Sequence, residues 1–108
     1  MQNIENKVAY ITGGTKGIGF GIAKALLQNG VKVAISGRDI DAVEKAKDEL
    51  GNQNVLALQS DVRNFDDERK AIEKIIATYG KLDIVIANAG LGKFAPVGIW
   101  FVRGFILQ

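Results

Sequence analysis

The sequence predicts an α/β domain, a doubly wound parallel sheet with helices on both faces. Short apolar runs rich in β-branched residues alternate with longer stretches of helical spacing. The helical stretches end at glycines, and thirteen glycines stand against a single proline. A chain of 108 residues with 47% hydrophobic and 24% charged residues has the size and composition of one globular domain.

Four apolar runs predict four buried strands, because each is short and rich in β-branched residues. They cover residues 8–11, 31–35, 55–58 and 84–87. A helical stretch separates each pair of consecutive runs, and parallel strands need such right-handed crossovers. The sheet is therefore expected to be parallel and truncated after the fourth strand.

Three stretches between the strands predict helices, because each carries one apolar face. The faces are formed by Ile18, Ile22, Ala25, Leu26 and Leu27, then Ile40, Val43, Ala46 and Leu50, and then Ala71, Ile72, Ile75, Ile76 and Tyr79. Gly30, Gly51 and Gly80 are placed to end the helices in the left-handed conformation. Asp41 with Glu44, and Asn64 with Asp67, have the spacing of a capping residue and an acid in the first turn.

The composition excludes several kinds of site. The chain has no Cys and no His, which excludes disulfides, thiolate nucleophiles, cysteine–zinc sites and Ser-His-Asp triads. We predict no metal site. A net charge of +2 without basic clusters gives no reason to expect nucleic acid as a partner. Residues 1–7 lack the apolar core of a signal peptide and no run of ~20 apolar residues exists, so we expect a cytoplasmic location without membrane binding.

The segment that follows the first predicted strand, TGGTKGIG at residues 12–19, predicts a nucleotide site. Gly13 would allow a tight turn, Gly17 would let backbone amides approach a pyrophosphate, and Gly19 would let the helix pack close to the sheet. The amino end of the helix favours a bound phosphate. A glycine-rich turn without a ligand is the alternative. A Walker-type loop is disfavoured, because Lys16 is followed by Gly17 rather than by Ser or Thr.

Three motifs together resemble the short-chain dehydrogenase/reductase family over about residues 5–97. They are the Thr-Gly-x-x-x-Gly-x-Gly spacing, Asp61 and Val62 after the third strand, and Asn88, Ala89 and Gly90 after the fourth. The resemblance implies a Rossmann-type sheet. It also implies an NAD(P)-dependent oxidation or reduction at an alcohol or carbonyl carbon.

The resemblance also implies a role for each motif. The pyrophosphate would be lined by Gly13, Gly17, Ile18 and Gly19, with Thr15 in the same loop. Asp61 would accept a hydrogen bond from the adenine amino group, beside the Val62 backbone. Asn88, Ala89 and Gly90 would pass behind the cofactor ribose and brace the strand. Structural alternatives are that Asp61 is a polar loop residue before a helix and that Asn88 only stabilises the strand end.

The end of the second strand bears on the choice of cofactor. An acid there binds the ribose hydroxyls of NAD and repels a 2′-phosphate. In this chain the strand ends in Ser36 and Gly37, and Arg38 follows; Lys16 would reach the same region. Because a guanidinium grips phosphate with two hydrogen bonds, NADP(H) is favoured over NAD(H). Asp39 is the opposing signal unless it starts the second helix, and Arg38 could be only a solvated loop charge.

The family's catalytic groups, a Ser and a Tyr-x-x-x-Lys motif, are not found in this chain. Gly14 lies four residues after Tyr10, and Asp83 lies four residues after Tyr79, where the motif requires Lys. We therefore predict no catalytic residue in this chain and expect it to be inactive alone, with the substrate undetermined.

The last residues depart from the family pattern. We divide the chain into a dinucleotide-binding unit at 1–97 and an atypical apolar tail at 98–108. Without further strands the fourth strand is an open edge, with residues 84–87 exposed. Either the tail covers this edge or a second copy pairs with it, so we expect self-association or marginal stability.

Two functional hypotheses follow. The first is the cofactor-binding half of an NADP(H)-dependent short-chain oxidoreductase, with dinucleotide as ligand and a small-molecule substrate only if the missing half is supplied. The second is a noncatalytic dinucleotide-binding module or partner subunit. A methyltransferase-like domain fits less well, since the acid at the end of the second strand is absent.

Overall fold

The apolar runs form the parallel strands of one sheet. The computed structural model describes residues 4–51, 53–88 and, for the backbone alone, 97–101. The strand order is β3-β2-β1-β4-β5, and the first four strands are parallel. The strands are β1 (Val8–Thr12), β2 (Lys32–Gly37), β3 (Val55–Gln59), β4 (Ile84–Asn88) and β5 (Val97–Phe101). The predicted four-stranded parallel sheet is confirmed.

Helices cover both faces of the sheet, as a doubly wound fold requires. They are α1 (Gly17–Gln28), α2 (Ile40–Glu49) and α3 (Phe65–Tyr79). Alternate residues of β1 show the two layers: Ala9 and Ile11 pack in the core with α1 and α2, while Val8 and Tyr10 pack with α3. Within the described residues, no helix is long and apolar enough to cross a membrane.

The predicted helix ends agree with the structure except at one cap. Asn64 caps α3, with its side chain accepting from the Asp67 amide, and Gly80 ends that helix at φ 84°. The predicted cap of α2 at Asp41 is wrong. Asp39 is the cap, and its carboxylate accepts from the Asp41 amide. The cap falls at Asp39 because β2 ends at Gly37 and the backbone is still extended at Asp39.

The edge of β4 is not open. Residues 97–101, most of which belong to the predicted tail, form β5 and pair antiparallel with β4, with Ala87 opposite Gly98. Of the two alternatives for this edge, the structure therefore shows pairing with the tail. The oligomeric state of the chain stays a prediction.

The predicted exposure of residues 84–87 is wrong, because none of the four is exposed. Ile84 and Ile86 are buried, at 7% and 3% exposure, and belong to the core on the α1 and α2 side. Val85 is half-buried and packs against the core on the α3 side. Because β4 lies directly beside β1, it shares the layers that cover β1.

Candidate functional site

A cleft of about 300 Å³ lies where the carboxyl ends of β1, β2, β3 and β4 meet. Ligands of open α/β sheets bind at this edge. Seven of the predicted site residues line it: Gly13, Thr15, Lys16, Arg38, Asp61, Val62 and Asn88. Another cleft, between the ends of α1 and α2, contains none of the predicted residues. The first cleft is therefore the candidate site.

Asn88 braces the glycine turn that follows β1. Its side-chain amide donates to the Gly13 carbonyl at 3.2 Å, and its backbone amide donates to Thr12 Oγ1 at 3.0 Å. Gly13 has φ 68°, and a Cβ there would lie 2.6 Å from the Asn88 carbonyl oxygen. The turn therefore requires glycine at position 13. The strand-bracing role expected of Asn88 is present in the structure.

Among the described residues, no side chain caps the start of α1. Lys16 is the N-cap, with no side-chain capping bond, and the first turn of the helix contains no acid. Gly17 has φ 64°, and no described residue lies within 4 Å of where a Cβ would be. At Gly19, by contrast, a Cβ would lie 2.6 Å from Asn88 Nδ2, so the predicted close packing is present. Ile18 is 67% exposed.

Two cations of the cleft have no carboxylate partner within the described chain. Lys16 and Arg38 are exposed, and neither takes part in the ion pairs between described residues. The Arg38 carbonyl accepts from Gln59 Nε2 at 3.1 Å, which ties the end of β2 to the end of β3. The Asp39 carboxylate instead caps α2. An anion in this cleft would therefore meet unpaired positive charge.

Asp61 is held by the residues that follow it. Its Oδ1 accepts from the Arg63 backbone amide at 2.9 Å and from Arg63 Nε at 3.1 Å, and Oδ2 accepts from Nη2 at 3.0 Å. The Asp61 amide donates to Asp67 in the first turn of α3. The hydrogen bonds from Arg63, with a smaller contribution from the charge of Arg38, lower the pKa of Asp61 to about 2. The carboxylate is charged at neutral pH.

A buried polar network lies directly behind the cleft. The Tyr10 hydroxyl donates to Glu68 Oε2 at 2.6 Å and lies 2.9 Å from Ser36 Oγ, and the Ser60 hydroxyl also donates to Glu68. Tyr10, Ser36 and Ser60 are at most 1% exposed. Burial, with the Glu68 hydrogen bond second, raises the pKa of Tyr10 above its ordinary value. The network ties β1, β2 and α3 to the loop that carries Asp61.

Some predicted residues do not line the cleft, and some lining residues were missed. Gly17, Ile18 and Gly19 form the first turn of α1 outside the lining. Ala89 and Gly90 lie outside the described residues. The missed lining residues are Gly37, Ser60 and Arg63. Each of the three directly adjoins a predicted residue in the sequence, and this position is the signal that could have found it.

Comparison with known proteins agrees with this geometry. Residues 7–99 match the family described as short chain dehydrogenase. The chain belongs to the short-chain dehydrogenase family. It is 40% identical over 90 residues to secoisolariciresinol dehydrogenase of Forsythia intermedia, covering 83% of this chain and 32% of that protein. It is 38% identical over 98 residues to a hydroxynaphthalene reductase of Aspergillus fumigatus, covering 87% and 36%.

A solved reductase shares the fold. The crystal structure of a 3-ketoacyl-(acyl-carrier-protein) reductase from Brucella melitensis, complexed with NADH, superposes with a TM-score of 0.72 at 38% identity. The superposition covers 76% of this chain and 33% of the reductase. The chain therefore spans about a third of the length of the relatives described here.

Proposed function

We propose that this short-chain dehydrogenase chain binds NADP(H) and forms the cofactor-binding part of an oxidoreductase acting between alcohols and carbonyl compounds. The observation that carries the proposal is the cleft at the carboxyl ends of the strands. It combines an uncapped helix start with two cations that have no partner within the described chain.

The chemistry of the cleft fits a dinucleotide diphosphate. The amides at the start of α1 carry the positive end of the helix dipole and face no capping side chain or acid. No described residue occupies the place of a Cβ at Gly17, so an oxygen-rich group can approach its backbone closely. Asp61 and Val62 line the same cleft and would hold the adenine. When bound there, the nicotinamide would supply or accept a hydride.

The preference for NADP(H) over NAD(H) rests on three side chains. Arg38 and Lys16 line the cleft and are free to meet a 2′-phosphate. Asp39, the only acid directly after β2, uses its carboxylate to cap α2. The Brucella reductase was solved with NADH, so NAD(H) is the alternative that an experiment must separate.

Arg38→Ala tests this preference. We expect the substitution to weaken NADPH binding tenfold or more and to leave NADH binding nearly unchanged, because a hydrogen bond from a guanidinium to a phosphate contributes about 1.5–3 kcal/mol. The measurement is titration of both reduced cofactors by nicotinamide fluorescence. Arg69→Ala is the matched control, because it removes an exposed guanidinium from α3 that does not line the cleft.

Three results would count against the proposal. Equal weakening of NADPH and NADH by Arg38→Ala would remove the assigned preference. An equal effect of Arg69→Ala would show that net charge, not position, governs binding. Failure of the unaltered chain to bind either cofactor would overturn the proposed function itself.

A noncatalytic dinucleotide-binding module is the second candidate function. It is favoured by the positions of the two tyrosines. Tyr10 is 1% exposed and committed to Glu68, and Tyr79 lies in the last turn of α3. Neither lines the described cleft. This alternative shares the binding step with the first proposal and differs from it in that no further segment supplies the catalytic groups.

A further inference from the structure

We propose that Arg63 is a positioning residue that aims the Asp61 carboxylate and thereby selects a 6-aminopurine over a 6-oxopurine at this site. The inference rests on the proposed function, because it concerns the base of the same dinucleotide. It assigns a role to a residue that lines the cleft but that the sequence motifs did not include.

The geometry leaves the carboxylate with one free direction. A carboxylate offers about four lone-pair sites, two on each oxygen. Arg63 fills both sites on Asp61 Oδ1, through its backbone amide and Nε, and one on Oδ2, through Nη2. Within the described part of the chain, the acceptor site that remains is on Oδ2. An amino group can donate to it, whereas the carbonyl of a 6-oxopurine would place a second acceptor against it.

The same contact balances charge in the cleft. Asp61 is 29% exposed at its side chain, in a cleft that we assign to a polyanion. Arg63 neutralises the carboxylate at 3.0 Å, and Arg38 acts on it from the end of β2. Without Arg63, an unpaired and rotatable carboxylate would face the bound nucleotide. Arg63 is therefore expected to affect the ligand more than the fold.

Arg63 can be replaced without removing the other bonds that hold its loop. Arg63 lies between β3 and α3, and its side chain is 56% exposed. The loop around it is also held by bonds that Arg63 does not make: the Asp61 amide donates to Asp67, and the Asn64 amide donates to the Asp61 carbonyl. Replacement of the Arg63 guanidinium removes its side-chain hydrogen bonds to the Asp61 carboxylate and leaves these other bonds in place.

The experiment compares two ligands by isothermal titration calorimetry, NADP⁺ and its hypoxanthine analogue, which carries a carbonyl in place of the 6-amino group. We expect the unaltered chain to bind NADP⁺ about tenfold or more tightly than the analogue, since a hydrogen bond to a charged acceptor is at stake. In Arg63→Gln the ratio should fall toward one. Arg63→Lys, which keeps the charge but not the two-pronged contact, should keep only part of it. Arg69→Gln is the control and should keep the full ratio.

A second measurement needs no ligand. Carboxyl chemical shifts followed against pH report the ionisation of Asp61 directly. We expect Arg63→Gln to raise the Asp61 pKa from about 2 toward its ordinary value, while Arg69→Gln leaves it unchanged. Circular dichroism confirms that each variant is folded, and Arg63→Lys serves if the Gln variant is not.

The outcomes separate the inference from the proposed function. If NADP⁺ binds but Arg63→Gln keeps the full preference for it over the analogue, the positioning role is overturned and the proposed function stands. If the unaltered chain does not distinguish the two ligands, the inference fails in the same way. If NADP⁺ does not bind at all, the proposed function fails and the inference fails with it.

Discussion

Gly19 and Gly21 lie two residues apart in α1, yet the structure gives them opposite environments. A Cβ at Gly19 would lie 2.6 Å from Asn88 Nδ2 and 2.7 Å from the Gly13 carbonyl oxygen, distances that no relaxed contact allows. A Cβ at Gly21 would have no described atom within 4 Å. Only Gly19 is therefore required by the approach of α1 to the glycine turn and β4.

The two glycines predict that alanine substitutions at these positions change the free energy of unfolding in opposite directions. We expect Gly19→Ala to lower the free energy of unfolding by about 1–3 kcal/mol through overpacking, and to weaken NADPH binding by displacing Asn88. Gly21→Ala should raise the free energy of unfolding by about 0.5–1 kcal/mol, because alanine is more stable than glycine at an exposed helix position. Urea denaturation measures both effects. A Gly19→Ala chain as stable as the unaltered one would contradict the close approach.

Residue by residue, the sequence predicted the part of the site that local spacing determines. The glycine turn, Arg38, Asp61 and Asn88 meet at one cleft because each lies at, or within two residues after, the carboxyl end of a parallel strand. Spacing did not reveal which acid caps α2, because Asp39 and Asp41 are both plausible until the end of β2 is known. Spacing also did not reveal the hydrogen bonds from Arg63 to Asp61, because a polar loop allows many pairs of charged side chains to meet.

At the scale of elements, the first turn of α3 organises the loop that carries Asp61. Asp67 accepts from the Asp61 amide, and Glu68 accepts from the Ser60 and Tyr10 hydroxyls. These acids also suit the positive end of the helix dipole. The Tyr10–Glu68 contact joins residues 58 apart in sequence, so no local pattern could predict it. A tyrosine in a fully buried strand was the available signal, because its hydroxyl needs a partner.

The network predicts an alkaline dependence of stability that Tyr10→Phe should reduce. Below the unfolded tyrosine pKa of about 10, Tyr10 is protonated in both states. Above it, the unfolded chain releases the proton, while the folded chain retains it because burial and Glu68 raise the pKa of Tyr10. The unfolded state then binds fewer protons, so the stability contributed by Tyr10 is lost as the pH rises further.

Urea denaturation at neutral and alkaline pH tests this prediction. At neutral pH, Tyr10→Phe should cost about 1.5–3 kcal/mol, because the lost hydrogen bond is to a carboxylate. Its stability should then fall less steeply above pH ~10 than that of the unaltered chain. Tyr79→Phe is the comparison, because burial also raises the pKa of Tyr79, but that side chain is only half-buried. Equal slopes for the Tyr10→Phe and unaltered chains would show that Tyr10 is not held as described.

The fifth strand, β5, is the element that the sequence did not predict. The strands β1 to β4 are continuous apolar runs between helices of clear periodicity, and all four were predicted. The segment at residues 97–101 is apolar too, but its sequence offers no helical spacing and no capping residue. It pairs antiparallel with β4, on the edge that does not face β1, and no local pattern in its sequence signals this pairing.

For the whole molecule, both tyrosines are unsuited to acid–base catalysis. A catalytic acid or base works best when its pKa lies near the operating pH. Burial raises the pKa of Tyr10, with Glu68 as a second cause, and burial raises the pKa of Tyr79. Both shifts are in the direction opposite to what catalysis at neutral pH needs. The chain contains no other tyrosine.

The 108-residue chain is therefore expected to bind NADPH without oxidising it. The measurement is the NADPH absorbance in the presence of aliphatic and aromatic ketones and aldehydes, with binding confirmed by fluorescence in the same solutions. Sustained oxidation that depends on the carbonyl compound would show that the chain supplies its own catalytic group. Binding without oxidation agrees with both candidate functions, and the intact mass of the protein from its native source separates them. A species much heavier than 11.6 kDa that contains a Tyr-x-x-x-Lys peptide would make the chain the cofactor-binding part of an oxidoreductase. A native mass of 11.6 kDa would instead favour the dinucleotide-binding module.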